Sequence, residues 1–263
     1  MVEIMRHRAN FSLLGTDNVK IDEDGDAQQT LVLIVLNYHL PSFTPTLWQQ
    51  VRLRVCADGG ANRLFDELPK FLPHEDEESV RHRYKPDVII GDLDSLRPDV
   101  REFYSKLGTT VVDQSYDQET TDLEKSINFV KNSTLELETV KLKLLAVGAL
   151  GGRFDHVAAH INLLYKFPSL RIILLSDESL LYLLPKGYSH EISFNTTFEG
   201  PHCGLIPFGT TSESTTTTGL QWNLSNTKMS FGSLVSTSNL LLGDFVTVVS
   251  DTHLVWTEAL RIS

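Results

Sequence analysis

Long apolar runs are missing from this chain. No stretch of its 263 residues approaches the roughly 18 to 20 continuous apolar residues of a membrane-spanning helix, so no membrane partner is expected. Cysteine is scarce, with only Cys56 and Cys203 present. Two cysteines make no disulfide framework, and a reducing compartment, the cytosol, is expected. Clustered basic residues are lacking as well. Lys and Arg number 23 against 34 Asp and Glu, a net charge of −11, with no basic stripe. Phosphate neutralisation by clustered cations is therefore absent, which argues against nucleic acid as a partner. The acidic balance favours solubility. No Cys or His cluster of the zinc type occurs. Residues 1–29 are polar, with acids gathered in "DEDGD", and lack the apolar core of a signal peptide. Residues 1–30 are expected to form an extension, partly disordered.

What is present is ordinary globular composition with enough apolar residues for a sizeable core. Short apolar runs of buried-strand length alternate with helix-like segments. The strands are "LVLIVL" (31–36), "LRVCA" (53–57), "DVII" (87–90), "TTVVD" (109–113), "LKLLAVGAL" (142–150) and "RIILLS" (171–176). Helices are predicted after the turn in "DGGANRLFDEL" (58–68), over 97–108 with Gly108 as the stop, over 120–132 and over 154–167. In the third of these, Leu123, Ile127 and Val130 fall on one face. "EDEESVRHRY" (75–84) reads as a surface loop or helix. Strand and helix alternating in this way predict a mostly parallel sheet covered on both faces over residues 31–185.

Beyond Pro185 the helical periodicity vanishes. Residues 186–263 are rich in Ser, Thr and short β-prone runs and predict an all-β second domain. The tract "TSESTTTTG" (211–219) reads as a loop or hairpin connection.

Ligands of a parallel α/β sheet bind outside the carboxyl ends of its strands. The second strand is followed by Asp58-Gly59-Gly60 and the third by Gly91-Asp92-Leu93-Asp94. The fourth is followed by "DQSYDQETTD", with Asp113, Asp117, Gln118, Glu119 and Asp122, and the fifth by Gly151-Gly152-Arg153-Phe154-Asp155. Read alone, Asp92 and Asp94 fit a capped turn, and Asp122 fits the acid-favouring first turn of a helix. Their coincidence after successive strands points to a site. Close carboxylates repel unless a counter-charge joins them. Magnesium, with its oxygen ligands and its habit of bridging phosphates, resolves that conflict. Two acids at spacing two on extended backbone face the same side, with Leu93 turned away into the core. "GALGGRFDH" is a glycine-rich turn into a helix, suited to a phosphate, though it has neither the Walker pattern nor GxGxxG. Arg153 can supply the cation there, or simply start a helix. His156 and His160 are four apart, but Val157 stands where a zinc protease needs Glu, so they read as structural. Trp222 lies among polar residues in "GLQWNLSN", placed either for the core or for stacking on a flat heterocycle or cation.

The segments "CADGGANRL", "PDVIIGDLDS", "DQETTD", "GALGGRFDH", "GLQWNLSN" and "SLVSTSN" resemble, in this order, the thiamine pyrophosphokinase family. The resemblance runs from about residue 31 to the C-terminus and leaves residues 1–30 and the 72–84 excursion unmatched. It implies an ATP-binding, Rossmann-like α/β domain (31–185), a C-terminal thiamine-binding β-sandwich (186–263), and a homodimer with active sites at the subunit interface. It implies transfer of pyrophosphate from ATP to the thiamine hydroxyl, with magnesium as cofactor. Asp92 and Asp94 match the acidic magnesium pair, and Asp58 and Asp122 match further acids around metal and phosphates. Gln118 and Arg153 match polar contacts to nucleotide or substrate. Gly59, Gly152 and Asp155 stand in the same motifs and are taken as binding positions. Trp222 matches a ring stacked on thiamine, with Ser236 and Asn239 completing that site. A magnesium glycosyltransferase or phosphohydrolase needs only the acidic pair and leaves Trp222 and "SLVSTSN" without a purpose. A non-catalytic nucleotide or thiamine module leaves the number of acids without one.

Overall fold

The structure is a computed structural model that describes residues 3–8, 30–133 and 142–261. The chain divides into two compact units.

The first unit, residues 20–163 and 172–177, is α/β. Its strands are β2 (Thr30–Val35), β3 (Leu53–Ala57), β4 (Val88–Gly91), β5 (Thr110–Asp113), β6 (Leu142–Val147) and β7 (Arg171–Leu175). They lie in the order β7-β6-β2-β3-β4-β5. The pairings β6–β2, β2–β3, β3–β4 and β4–β5 are all parallel, as alternation predicts. Val32 to Val35, Val55 to Ala57, and Ile89 and Ile90 are buried, which is why these strands read as unbroken apolar runs. Helix α2 (Gly60–Phe71) follows β3, α4 (Pro98–Lys106) follows β4, and α5 (Asp122–Ser133) follows β5. Leu123, Ile127 and Val130 of α5 are buried, and α5 packs on β3 and β4. Sequence order reverses between β2 and β6, so the switch point lies there. Two short helices, α1 (Thr44–Trp48) and α3 (Glu77–Arg83), complete the connections. The charged 75–84 excursion is this second helix, capped by Asp76, which accepts from the Ser79 N–H at 2.9 Å. Helix α6 (Phe154–Lys166) follows β6 and runs past the end of this unit's 20–163 segment.

The second unit, residues 1–19, 164–171 and 178–263, is a β-sandwich. One sheet has the order β1-β9-β14-β11-β12, from β1 (Glu3–Arg8), β9 (Tyr188–Ser193), β14 (Phe245–Ser250), β11 (Ser212–Thr218) and β12 (Thr227–Met229). The other carries β13 (Ser236–Leu240), β10 (Glu199–Ile206), β15 (Leu254–Leu260) and β8 (Ser179–Leu184), in that order. His7 of β1 stacks on Tyr182 of β8 at 5.3 Å between the two sheets.

Three expectations change here. Residues 1–30 are not wholly an extension, because Glu3–Arg8 pairs in parallel with Tyr188–Ser193 and Thr30 opens β2; residues 9–29 lie outside the described residues. The β-rich unit takes in β8, ahead of Pro185, because Leu180 to Leu184 pair with β15. The threonine tract is an interior strand, not a loop. Ser212, Thr215 and Thr217 point inward and are buried, with the Ser212 hydroxyl donating to Asp251 at 2.7 Å. β-Branched threonine suits a strand once its hydroxyl finds a partner.

Candidate functional site

Three carboxylates meet at the carboxyl ends of β3 and β4. Asp58 opens the turn after β3, Asp92 follows β4, and Asp122 opens α5. One oxygen from each lies within 4.8 Å of the others. Gly91 permits this approach: a Cβ there would stand 2.7 Å from the Asp58 Cβ and 3.2 Å from Asp122 Oδ1. Asp58 holds φ +44, a left-handed conformation that aspartate tolerates better than most residues. Its backbone N–H donates to the Ile90 carbonyl at 2.9 Å, tying the turn to β4. The loop after Asp92 is fastened to α2. Asn62 donates to the Ser95 carbonyl at 2.7 Å and accepts from the Arg97 N–H at 3.1 Å. Arg97 then grips Asp66 through two hydrogen bonds of 2.6 and 2.9 Å.

Asp58 is 2 % exposed. Its Oδ2 accepts from the Ser95 N–H at 3.1 Å, while its buried Oδ1 has no hydrogen-bond partner. Burial pushes its carboxyl up from 3.8 to about 6, aided by the charges of Asp122, Asp92 and Asp94 and opposed by the Ser95 N–H. Asp122 is raised too, first by burial and then by Asp92. A buried carboxylate oxygen with no donor, beside two more acids, is the arrangement a hard divalent cation satisfies.

Asp94 is not part of this group. It is exposed, and its carboxylate accepts from the Ser95 hydroxyl at 2.9 Å. The extended alternation expected across Asp92–Asp94 is broken at Leu93, which has φ +63 and is only half-buried. Leu93 therefore does not anchor in the core, and the two acids part.

Lys125 lies with the triad and had no sequence signal beyond its place three residues after Asp122. It is buried, with Nζ 3.7 Å from Asp122 Oδ1 and 3.9 Å from Asp92 Oδ2. Tyr38, just after β2, was also missed. Cβ atoms on Gly151 and Gly152 would come within 2.6 and 2.7 Å of its ring, so the ring lies flat on the glycine turn after β6. That turn sits at the switch point, where ligands of such sheets bind. Arg153 and Asp155, both exposed, pair with each other through two hydrogen bonds. Gln118 donates to the Ser115 carbonyl at 2.8 Å within its own loop. Gly59 is the N-cap residue of α2. His160 bonds the Ala149 carbonyl at 2.8 Å, consistent with a structural histidine.

In the β-sandwich unit, Trp222 is 59 % exposed. Asn239, buried beside it, holds its backbone at both ends: the Trp222 N–H donates to Asn239 Oδ1 at 3.1 Å, and Asn239 Nδ2 donates to the Trp222 carbonyl at 2.8 Å. Ser236 Oγ accepts from the same Nδ2 at 3.4 Å. Asn239 thus positions the tryptophan with its side chain wholly engaged.

Two family models match this chain, "Thiamin pyrophosphokinase, catalytic domain" over residues 44–174 and "Thiamin pyrophosphokinase, vitamin B1 binding domain" over 189–255. The chain belongs to the thiamin pyrophosphokinase family. Among its relatives, Thiamine pyrophosphokinase 1 of Arabidopsis thaliana is 54 % identical over 260 residues, covering 99 % of this chain and 95 % of the relative. Thiamine pyrophosphokinase 1 of Oryza sativa subsp. japonica is 53 % identical over 258 residues, with 98 % of each chain covered. The crystal structure of the yeast thiamin pyrophosphokinase aligns with a TM-score of 0.82 at 25 % identity, over 99 % of this chain and 93 % of that one. The catalytic-domain match spans the acid triad, and the vitamin B1 match spans Trp222, Ser236 and Asn239.

Proposed function

We infer that this chain is a thiamine diphosphokinase (EC 2.7.6.2), transferring pyrophosphate from ATP to the thiamine hydroxyl to give thiamine diphosphate and AMP. The observation that carries the reading is the Asp58–Asp92–Asp122 triad, with one buried oxygen unpartnered, on a chain of this family. In the reaction, the thiamine oxygen bonds to the β-phosphorus of ATP and passes its proton to one carboxylate of the acid cluster. The bond from that phosphorus to the oxygen bridging the α-phosphate breaks, and AMP departs. Negative charge gathers on phosphate oxygens, so positioning and counter-charge govern the rate.

Asp58, Asp92 and Asp122 would hold magnesium, and exposed Asp94, outside that triad, stands with them only through the shared "GDLDS" motif. Bound there, magnesium neutralises phosphate charge and aligns the transferring group. The Gly151–Gly152 turn offers backbone N–H groups at the start of α6 for a phosphate, with Gly59, Gln118, Arg153 and Asp155 as further nucleotide contacts. Arg153 is exposed and free to leave Asp155 for a phosphate, a better bidentate partner for its charge. Trp222, exposed on a backbone that Asn239 holds, offers its indole face to the thiazolium cation, within the site that Ser236 and Asn239 frame.

Two copies pair, in this reading, through the outward face of the five-stranded sheet, with active sites at the subunit interface. Ile4, Phe245 and Val249 are exposed there, and Val249 and Ile4 flank Ser189 in register. Phe245→Glu should convert a dimer to a monomer in sedimentation. The buried free thiols of Cys56 and Cys203 favour the cytosol, and no helix among the described residues is long and apolar enough to cross a membrane.

The deciding assay supplies ATP, magnesium and thiamine and resolves AMP from ADP. AMP released only with thiamine is expected, and ADP would overturn the reaction type. Asp92→Ala should fold and form no thiamine diphosphate; near-normal turnover would sink the metal role.

A further inference from the structure

The acid triad carries a cation of its own. Lys125 sits in the first turn of α5, 2 % exposed, with Asp92 and Asp122 as the carboxylates nearest its ammonium. Its separations of 3.7 and 3.9 Å exceed hydrogen-bond length, so it acts on them as a charge and not as a locked donor. Burying an ammonium is costly unless charges of opposite sign surround it. Three carboxylates and one ammonium leave a formal charge of −2, which one divalent ion balances.

We propose that Lys125 is a positioning residue that stands in for a second cation, holding Asp92 and Asp122 together while weakening the triad for a free divalent ion. The proposal rests on the metal role given to the triad above. Lys125 is too deeply buried to touch a substrate, so it acts only through the two aspartates. Its ammonium repels an ion that shares those carboxylates. The ion is therefore held firmly only when substrate phosphates add their own oxygens and charge. That arrangement makes the site take its metal together with the nucleotide, in keeping with the reluctance of magnesium to accept an all-protein cage.

Mn2+ titration of the protein, without nucleotide or thiamine and at pH 8, tests this by electron paramagnetic resonance of the free ion. Lys125→Met and Lys125→Gln both remove the charge while filling most of the space. Each is expected to bind Mn2+ about tenfold more tightly than wild type, since like charges this close repel by that much even under strong screening. Asp92→Asn is expected to weaken binding at least about tenfold by deleting a charged ligand. Folding is followed by circular dichroism, and the glutamine variant keeps the test open if methionine unfolds the helix. If Asp92→Asn loses Mn2+ while a folded Lys125 variant binds it no tighter than wild type, the Lys125 role is wrong and the metal reading stands. If Asp92→Asn binds Mn2+ as wild type does, the metal reading falls and the Lys125 role with it.

Discussion

Asp58→Asn should make the metal-free protein more stable while removing its activity. The substitution keeps the shape, and asparagine accepts the left-handed backbone at this position readily. Its carboxamide oxygen still accepts from the Ser95 N–H. What it removes is a buried charge. Moving an acid from 3.8 to about 6 on folding costs about 3 kcal/mol once it is ionised in both states. The folded protein binds this proton more tightly than the unfolded chain does. The full cost is therefore present above about pH 6, shrinks between pH 6 and 4, and is gone below the unfolded value. The charges of Asp92 and Asp122 contribute to it, so their relief is included. Urea unfolding of chelator-treated protein at pH 8 should show Asp58→Asn ahead of wild type by about 1 to 3 kcal/mol. The gap should close as the pH approaches 4, where both side chains are neutral. Magnesium should reverse the order at pH 8, since it stabilises only the protein that binds it. A variant weaker than wild type at pH 8 without metal, or a gap unmoved by acid, would refute the account of Asp58 as a buried, costly charge.

Gly91→Ala places a methyl group 2.7 Å from the Asp58 Cβ. It should cost about 1 to 3 kcal/mol by overpacking and abolish thiamine diphosphate formation by parting Asp58 from Asp122, read by thermal melts and turnover. Asn239→Ala removes both hydrogen bonds to the Trp222 backbone. It should lower stability by about 1 to 3 kcal/mol and raise the KM for thiamine at least about tenfold, one order of magnitude being roughly 1.4 kcal/mol of lost binding, while the KM for ATP holds. An equal rise in both constants would place Asn239 in general folding and not in thiamine recognition.

The strands of the α/β unit were legible because Val32–Val35, Val55–Ala57 and Ile89–Ile90 are buried on both faces and leave no room for polar residues. Position followed from that: acids just past such strands share an edge of the sheet. What escaped was set by contacts distant in sequence. β1 is short and polar, and only its parallel register with Tyr188–Ser193 makes it a strand. β11 looks like a low-complexity loop because its buried residues are Ser212, Thr215 and Thr217, whose hydroxyls find partners only in the fold. Asp94 could not be told from Asp92 without the left-handed turn at Leu93. Lys125 reads as any helix-surface lysine until α5 is laid on β3 and β4. Asn239 reads as a substrate contact in sequence, yet its amide is occupied by Trp222, Ser236 and the Leu240 N–H. Sequence pattern marks where ligand chemistry gathers; tertiary packing decides which groups face it.

The pairing of β1 with β9 bears on how the chain is made. His7 bonds His190, a partner 183 residues further along, at 2.8 Å. Synthesis proceeds at about 5 to 20 residues per second, so the first strand waits roughly 10 to 40 s for its partner. During that interval the α/β unit, whose strands lie between them, can fold behind it. The edge of the sandwich is thus finished by residues far upstream of the strand they pair with. Substitutions within Glu3–Arg8 therefore act on the unit that carries Trp222.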